Sequence, residues 1–213
     1  MDRDTFQRAA ALSDTLAARW FAPVSVAMSE FSINTAARQT AFIAQIRHES
    51  GGLTQLVESF NYAPAALTIF SRVPASMRAT LGRHPDEKTV PPERQKEIAS
   101  LAYGGRYGNG DAASGDGWRF RGRGLKQITF RDNYLACGRA LGVDLIANPD
   151  LLATDDTLAA RSAAWFWSAH GCNEAADKGD FAQTTRIING PAMDQQAKRE
   201  ACYAAAKTAF GLA

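Results

Sequence analysis

Residues 35–52 read TAARQTAFIAQIRHESGG. Phe42, Ile46 and Glu49 fall at successive steps of four and three, the spacing that puts side chains on one face of a helix. Asn34 or Thr35 is placed to cap its start, and the glycine pair at 51 and 52 is placed to end it. The unusual feature is the carboxylate in the last turn. There the negative end of the helix dipole and two apolar neighbours on the same stripe disfavour ionisation. A carboxyl that holds its proton near neutrality is what a general acid requires, and a glycine pair after it leaves room for a substrate. The plain alternative, a solvated glutamate at an ordinary helix end, fits the same pattern.

Helical periodicity recurs outward from this segment. Residues 2–20 carry Phe6, Ala9, Ala10, Leu16 and Trp20 in a loose helical pattern that Pro23 is expected to terminate. Residues 62–81 suggest one or two helices broken at Pro74, and HPDEKTVPPERQ at 84–95 reads as an exposed loop. A helix is expected from about Pro92 to Tyr103, and one ending at Leu141 is entered through LKQITFRDNY, a short strand or turn. Asp155 or Asp156 should cap a helix to His170, and a last helix should run from near Asp194 to Phe210. Few segments alternate with period two, so the fold class expected is mainly α.

The chain has 213 residues, 46% of them hydrophobic and 22% charged, which suits a single soluble domain with a substantial core. Its 24 basic and 22 acidic residues leave a formal charge of +2, too balanced for a dedicated nucleic-acid binder. The longest stretch without a charged side chain, residues 59–71, contains Asn61 and Pro64 and is too short to span a bilayer. Asp2, Arg3, Asp4 and Arg8 interrupt the apolar run that a secretory signal needs, so a cytoplasmic start is expected. Cys137, Cys172 and Cys202 are too few and too widely spaced for a metal knuckle or a disulfide framework.

Several chemistries are excluded by spacing. His48 and Glu49 begin an HE pair, but neither His84 nor His170 stands where a zinc helix needs its second ligand. The chain has no GxSxG elbow and no phosphate-cradling GxxxxGK[ST], and NGDAAS from Asn109 lacks the turn glycine of a calcium loop. His170 and Cys172 stand two apart, on different sides of any helix they share, which is a poor arrangement for a thiol and its base. Trp165, Phe166 and Trp167 read as core. Glu58, nine residues after Glu49 and beyond the glycine turn, can fold back across a gap; as plain sequence it also reads as surface charge. Residues 104–124, GGRYGNGDAASGDGWRFRGRG, hold 8 of the 17 glycines, a density that allows tight turns and close backbone approach. An alternative for the arginine-glycine run with Trp118 and Phe120 is a nucleic-acid-gripping module.

Four motifs in order, RHESGG at 47–52, ESFNY at 58–62, GDGWRFRGRGLKQITFRDNY at 115–134 and RIINGP at 186–191, resemble glycoside hydrolase family 19. The likeness is to the lysozyme-like endolysins of bacteriophages and prophages in particular, and spans residues 40–205. It implies a lysozyme-like, two-lobed helical fold with a central substrate cleft, one catalytic domain over 1–213 and no separate wall-binding module. It also implies an inverting hydrolase of β-1,4-linked N-acetylated sugars that cuts the peptidoglycan glycan strand, with chitin oligosaccharides as the alternative substrate. A non-catalytic wall-binding relative is a further alternative.

In that likeness Glu49 is the general acid and Glu58 the base that activates water, with the carboxyls roughly 6.5–9.5 Å apart as inversion requires. Thr129 matches a hydroxyl position that helps hold the water. Gln127, Asn133 and Asn189 match amides that bond substrate, since an amide both donates and accepts. Arg121 and Arg123 are expected to orient the cleft's carboxylates and backbone, and Tyr62 and Trp118 to face sugar rings. Pro191 stands where a second glycine is common after ING. No cofactor, no nucleic-acid partner and no membrane insertion are implied, and a monomer is expected. A cytoplasmic lysin would reach the wall after another protein permeabilises the membrane.

Overall fold

The computed structural model describes residues 1–212. Its helices are α1 (Arg3–Ala10), α2 (Asp14–Glu30), α3 (Ala36–Glu49), α4 (Arg78–Leu81), α5 (Pro92–Tyr103), α6 (Asp116–Arg119), α7 (Arg131–Leu141), α8 (Leu151–Thr154), α9 (Asp156–Ala169), α10 (Cys172–Asp177), α11 (Phe181–Asn189) and α12 (Gln196–Ala209). Two isolated antiparallel bridges, Val57 with Arg123 and Arg123 with Ile128, are the β pairing among the described residues. The fold is mainly α, as the periodicity implies.

α3 is the central helix. Thr35 caps it by accepting from the Arg38 amide, and all residues from Thr40 to Ile46 are buried. A helix buried on every side has neighbours all round rather than a single apolar stripe, and α3 packs against α12, α1 and α10. Phe42 meets Trp167 of α9 edge to face at 5.5 Å within the largest hydrophobic cluster, which also takes in Trp20, Val24 and Leu53. A second cluster gathers Phe60, Leu67, Leu81 and Ile98, and a third surrounds Tyr134 and Leu145.

Two sequence expectations are corrected. Pro23 lies inside α2 instead of ending it. An interior proline costs about 3 kcal/mol, and here Trp20, Val24, Ala27 and Met28, buried on both sides of it, hold the helix through the break. Residues 62–81 form two 3-10 turns, Pro64–Ile69 and Ala75–Met77, and only one turn of α-helix. Helix α9 begins where the sequence implies, with Asp155 accepting from the Thr157 and Leu158 amides.

The glycine pair serves the turn. Gly51 and Gly52 have φ of 56° and 74°, in the left-handed region that glycine occupies without penalty, and Leu53 continues it at 63°. A Cβ on Gly52 would meet nothing within 4 Å and one on Gly51 would meet the Gln55 side chain. Conformation, more than room for substrate, therefore requires these glycines. Leu53 is held there by complete burial, by its amide donating to Ser50 Oγ, and by the Trp20 indole donating to its carbonyl at 3.0 Å.

Candidate active site

After this turn, residues 56–58 run antiparallel to residues 122–124. The Glu58 amide donates to the Gly122 carbonyl at 2.8 Å and the Gly124 amide to the Leu56 carbonyl at 3.0 Å. That pairing lays the Glu58 side chain along Gly122, whose amide donates to Glu58 Oε2 at 2.9 Å. The Tyr103 hydroxyl, at the end of α5, donates to Oε1 at 2.6 Å. Gly122 is needed for close approach: a Cβ there would stand 2.8 Å from Gln127 Oε1 and 3.2 Å from both Glu58 Cβ and Oε2. Burial raises the Glu58 pKa above the ordinary carboxylate range, and the Tyr103 and Gly122 bonds and the Arg121 charge partly offset it. Burial and the Glu58 charge push the Tyr103 phenol far up, so it remains a donor.

Glu49 is held from the other side of the glycine turn. Arg199 of α12, 3% exposed, brings Nη2 to 2.5 Å from Glu49 Oε1, an ion-pair contact without hydrogen-bond geometry. Arg199 Nη1 donates to Gln45 Oε1 at 2.7 Å, and Gln45 Nε2 donates to the Thr184 and Thr185 hydroxyls at 2.9 Å each. Arg199 Nε donates to the Asp194 carbonyl. A bare carboxyl among apolar neighbours is thus corrected: a buried guanidinium stands against it, fixed by α3 and α11.

Glu49 and Glu58 line one open cleft of about 710 Å³ together with Tyr62, Gln127, Gln55 and Arg19. Gln127 Nε2 is engaged by the Gly124 and Gln55 carbonyls at 2.8 and 3.2 Å. Tyr62 packs edge to face on Phe70 at 5.3 Å. The cleft therefore brings together Glu49, Glu58, Tyr62 and Gln127 of the residues the sequence singled out. Thr129 lies behind Gln127, its hydroxyl donating to the Gln127 carbonyl at 3.3 Å, and its own carbonyl accepts from exposed Asn133.

The other four lie elsewhere. Arg123 is 2% exposed, pairs with Asp150 at 2.6 Å and donates to the Arg119 carbonyl and the Tyr134 hydroxyl. Interior, with both terminal nitrogens engaged, it orders backbone and cannot reach a glycan. Arg121 stacks on Trp118, its guanidinium carbon 3.7 Å from the ring centroid, and both line a separate shallow groove with Pro149 and Asp150. Asn189 accepts from the Asp194 amide at 2.5 Å. It closes the turn whose carbonyl anchors Arg199, so its link to Glu49 is structural.

Sequence reasoning missed Arg199, Gln45 and Tyr103. The signal for Arg199 was a charge on the inward stripe of α12, seven residues before buried Ala206. Gln45 is a lone amide in the apolar run AFIAQI. The thiol reading is closed: burial pushes the Cys172 pKa up to about 12, and the His170 ring stacks on Phe166 at 4.0 Å. No cluster of three metal-binding side chains occurs among the described residues.

Two carboxylates lining one groove are the arrangement that hydrolysis of an O-glycosyl bond calls for. The chitinase class I model of glycoside hydrolase family 19 matches residues 94–207. A glycosyl hydrolase family 19 domain-containing protein of Haemophilus influenzae is 40% identical over 156 residues, 72% of this chain and 70% of that one. Endochitinase 1 of Theobroma cacao is 43% identical over 93 residues, 35% of this chain and 29% of its own. The chain belongs to glycoside hydrolase family 19. Its fold is that of a bacterial family 19 chitinase crystal structure, with a TM-score of 0.65 at 24% identity covering 100% of this chain and 95% of the other. Chitinase C from Streptomyces griseus HUT6037 gives 0.63 at 21% identity, covering 99% of this chain and 76% of the other.

Proposed function

We propose that the protein is an endo-acting, inverting glycosidase that cuts the β-1,4 bonds of the peptidoglycan glycan strand. Glu49 gives its proton to the departing glycosidic oxygen as the C1–O bond breaks. Glu58 takes a proton from the water that attacks C1 on the opposite face, so the anomeric configuration inverts. The observation that carries this reading is the presence of both carboxyls on one cleft, and the motif resemblance supplies which is acid and which is base. Glu58 accepts two hydrogen bonds, as an ionised base does, and its burial strengthens it as a base. Arg199 stands where a carboxylate remains once Glu49 has lost its proton.

The endolysin-like motifs favour peptidoglycan. Chitin is the second reading, favoured by the endochitinases among the relatives. Mass spectrometry of fragments from purified peptidoglycan and from chitin oligosaccharides separates them. Saccharide fragments from peptidoglycan with new reducing ends support the first reading, and release from chitin alone replaces it with the second. Peptides freed from intact glycan overturn the glycosidase reading. Early-time NMR should show the α anomer first; initial β product excludes inversion.

A further inference from the structure

A second cation lies near Glu49, and the reaction as proposed does not use it. Lys126 sits in the GRGLKQI run between Leu125 and Ile128, both core residues. A charge in such a place is costly unless something answers it. Its ammonium is 4.2 Å from the centroid of the Phe166 ring, and it forms no salt bridge among the described residues. It shares a narrow void with Glu49, Gln45, Ile46 and Trp167. Burial lowers the amine's pKa, attraction to Glu49 opposes that, repulsion from Arg199 adds to it, and Cys172 opposes it.

We propose that Lys126 is a positioning residue for glycosidic cleavage: held on the Phe166 ring, its ammonium joins Arg199 in steadying the carboxylate that Glu49 becomes on proton transfer. The proposal rests on Glu49 being the general acid. An ammonium facing the same void as a carboxyl stabilises the negative charge that proton transfer leaves there. The other groups around this point do not replace it. His48 on α3 is held toward its neutral form by burial and by Arg199. Cys172 on α10 stays a thiol. Arg19, which lines the cleft, is engaged by both oxygens of Asp156 at 2.7 Å. The cations answering Glu49 are therefore Arg199 and Lys126.

The test is the pH profile of kcat/KM for Lys126→Met, which keeps an unbranched apolar chain beside Phe166, one atom shorter, and removes the charge. The alkaline limb, which reports the acid of the free enzyme, should move up by about half a unit to one unit, and kcat should fall several-fold with KM little changed. Lys126→Arg should keep the limb where it is. A Lys126→Met profile that superimposes on the wild type, or a Lys126→Arg limb displaced as far as the methionine one, overturns the proposal. Should the methionine variant fail to fold by circular dichroism, Lys126→Gln is titrated against the same criteria. Glu49→Gln separates the two levels: an active enzyme removes the general-acid reading itself, whereas an inactive one with an unmoved Lys126→Met limb removes only the role of Lys126.

Discussion

Replacing Tyr103 by phenylalanine removes one oxygen and tests how the base is held. That hydroxyl donates to Glu58 Oε1 at 2.6 Å, and the Gly122 amide to Oε2 is the other bond that favours the ionised carboxylate. Burial already raises the Glu58 pKa, and Tyr103 is the largest influence opposing that rise. A hydrogen bond to a charged group contributes about 1.5–3 kcal/mol. At about 1.36 kcal/mol per pKa unit, its loss should raise the Glu58 pKa by roughly one to two units. The sign follows from the role. A general base works only when ionised, so activity is lost as pH falls through its pKa, and a higher pKa moves that loss to higher pH. The acid limb of kcat/KM should therefore move up by about one to two pH units, with the alkaline limb fixed. The ring still packs against Phe60 and Phe130, so the melting temperature should change little. Initial rates of soluble glycan hydrolysis across the pH range measure this directly. An acid limb that stays in place, with the variant folded, would refute Glu58 as the base held by Tyr103.

Other variants probe neighbouring contacts. Glu49→Gln should lower kcat by about 10²–10⁴ in a turbidity or soluble-glycan assay with the fold intact, since that is the usual worth of a general acid; near-normal turnover contradicts the assignment. Gly122→Ala puts a methyl against Gln127 Oε1 and Glu58, and displacement of the base by about 1 Å should cost about 10² in kcat; unchanged kcat would mean that the loop gives way freely. Glu58→Gln should abolish activity without lowering the melting temperature at neutral pH. The folded pKa of Glu58 is raised, so its ionised form weakens the fold, and that penalty fades as pH falls through the folded pKa; a clear loss of neutral-pH stability would show that the charge supports the fold.

What the sequence disclosed and what it hid divide along a physical line. Helices with a capping residue and a breaker stood out, as with Thr35 and the glycine pair around α3 or Asp155 and Gly171 around α9. Short α10 and α11 were not anticipated, because nine residues or fewer carry little periodicity and their burial comes from tertiary neighbours. Among site residues, Glu49, Glu58, Tyr62 and Gln127 lie near two local turns, and their motifs are contiguous. Arg199 reaches Glu49 from 150 positions away in the numbering, and spacing along a chain says nothing about such a partner. The same limit explains Arg123 and Asn189. Their motifs are real, but whether a polar side chain faces a cleft or the interior depends on packing that only the folded molecule decides.

The two carboxyls differ because two local solutions meet at one groove. On the α3 side the helix terminates in left-handed backbone, which leaves Glu49 at the end of a buried helix. Burial of a charge there requires an answering charge, which α12 supplies through Arg199, itself fixed by Gln45 and by the turn that Asn189 closes. On the other side an antiparallel pairing across Gly122 leaves Glu58 with two donors and, among the described residues, no ion pair. Desolvation then acts on Glu58 with only partial opposition. The two carboxyls thus stand in different environments although the side chains are chemically identical; which of them donates and which accepts a proton follows from the motif resemblance and is what the variants above test. A glycine at 122 lets Glu58 pack against backbone, and an arginine at 199 sets a cation against Glu49. Exchanging either device for a neutral side chain should therefore disturb one carboxyl and leave the other's surroundings in place.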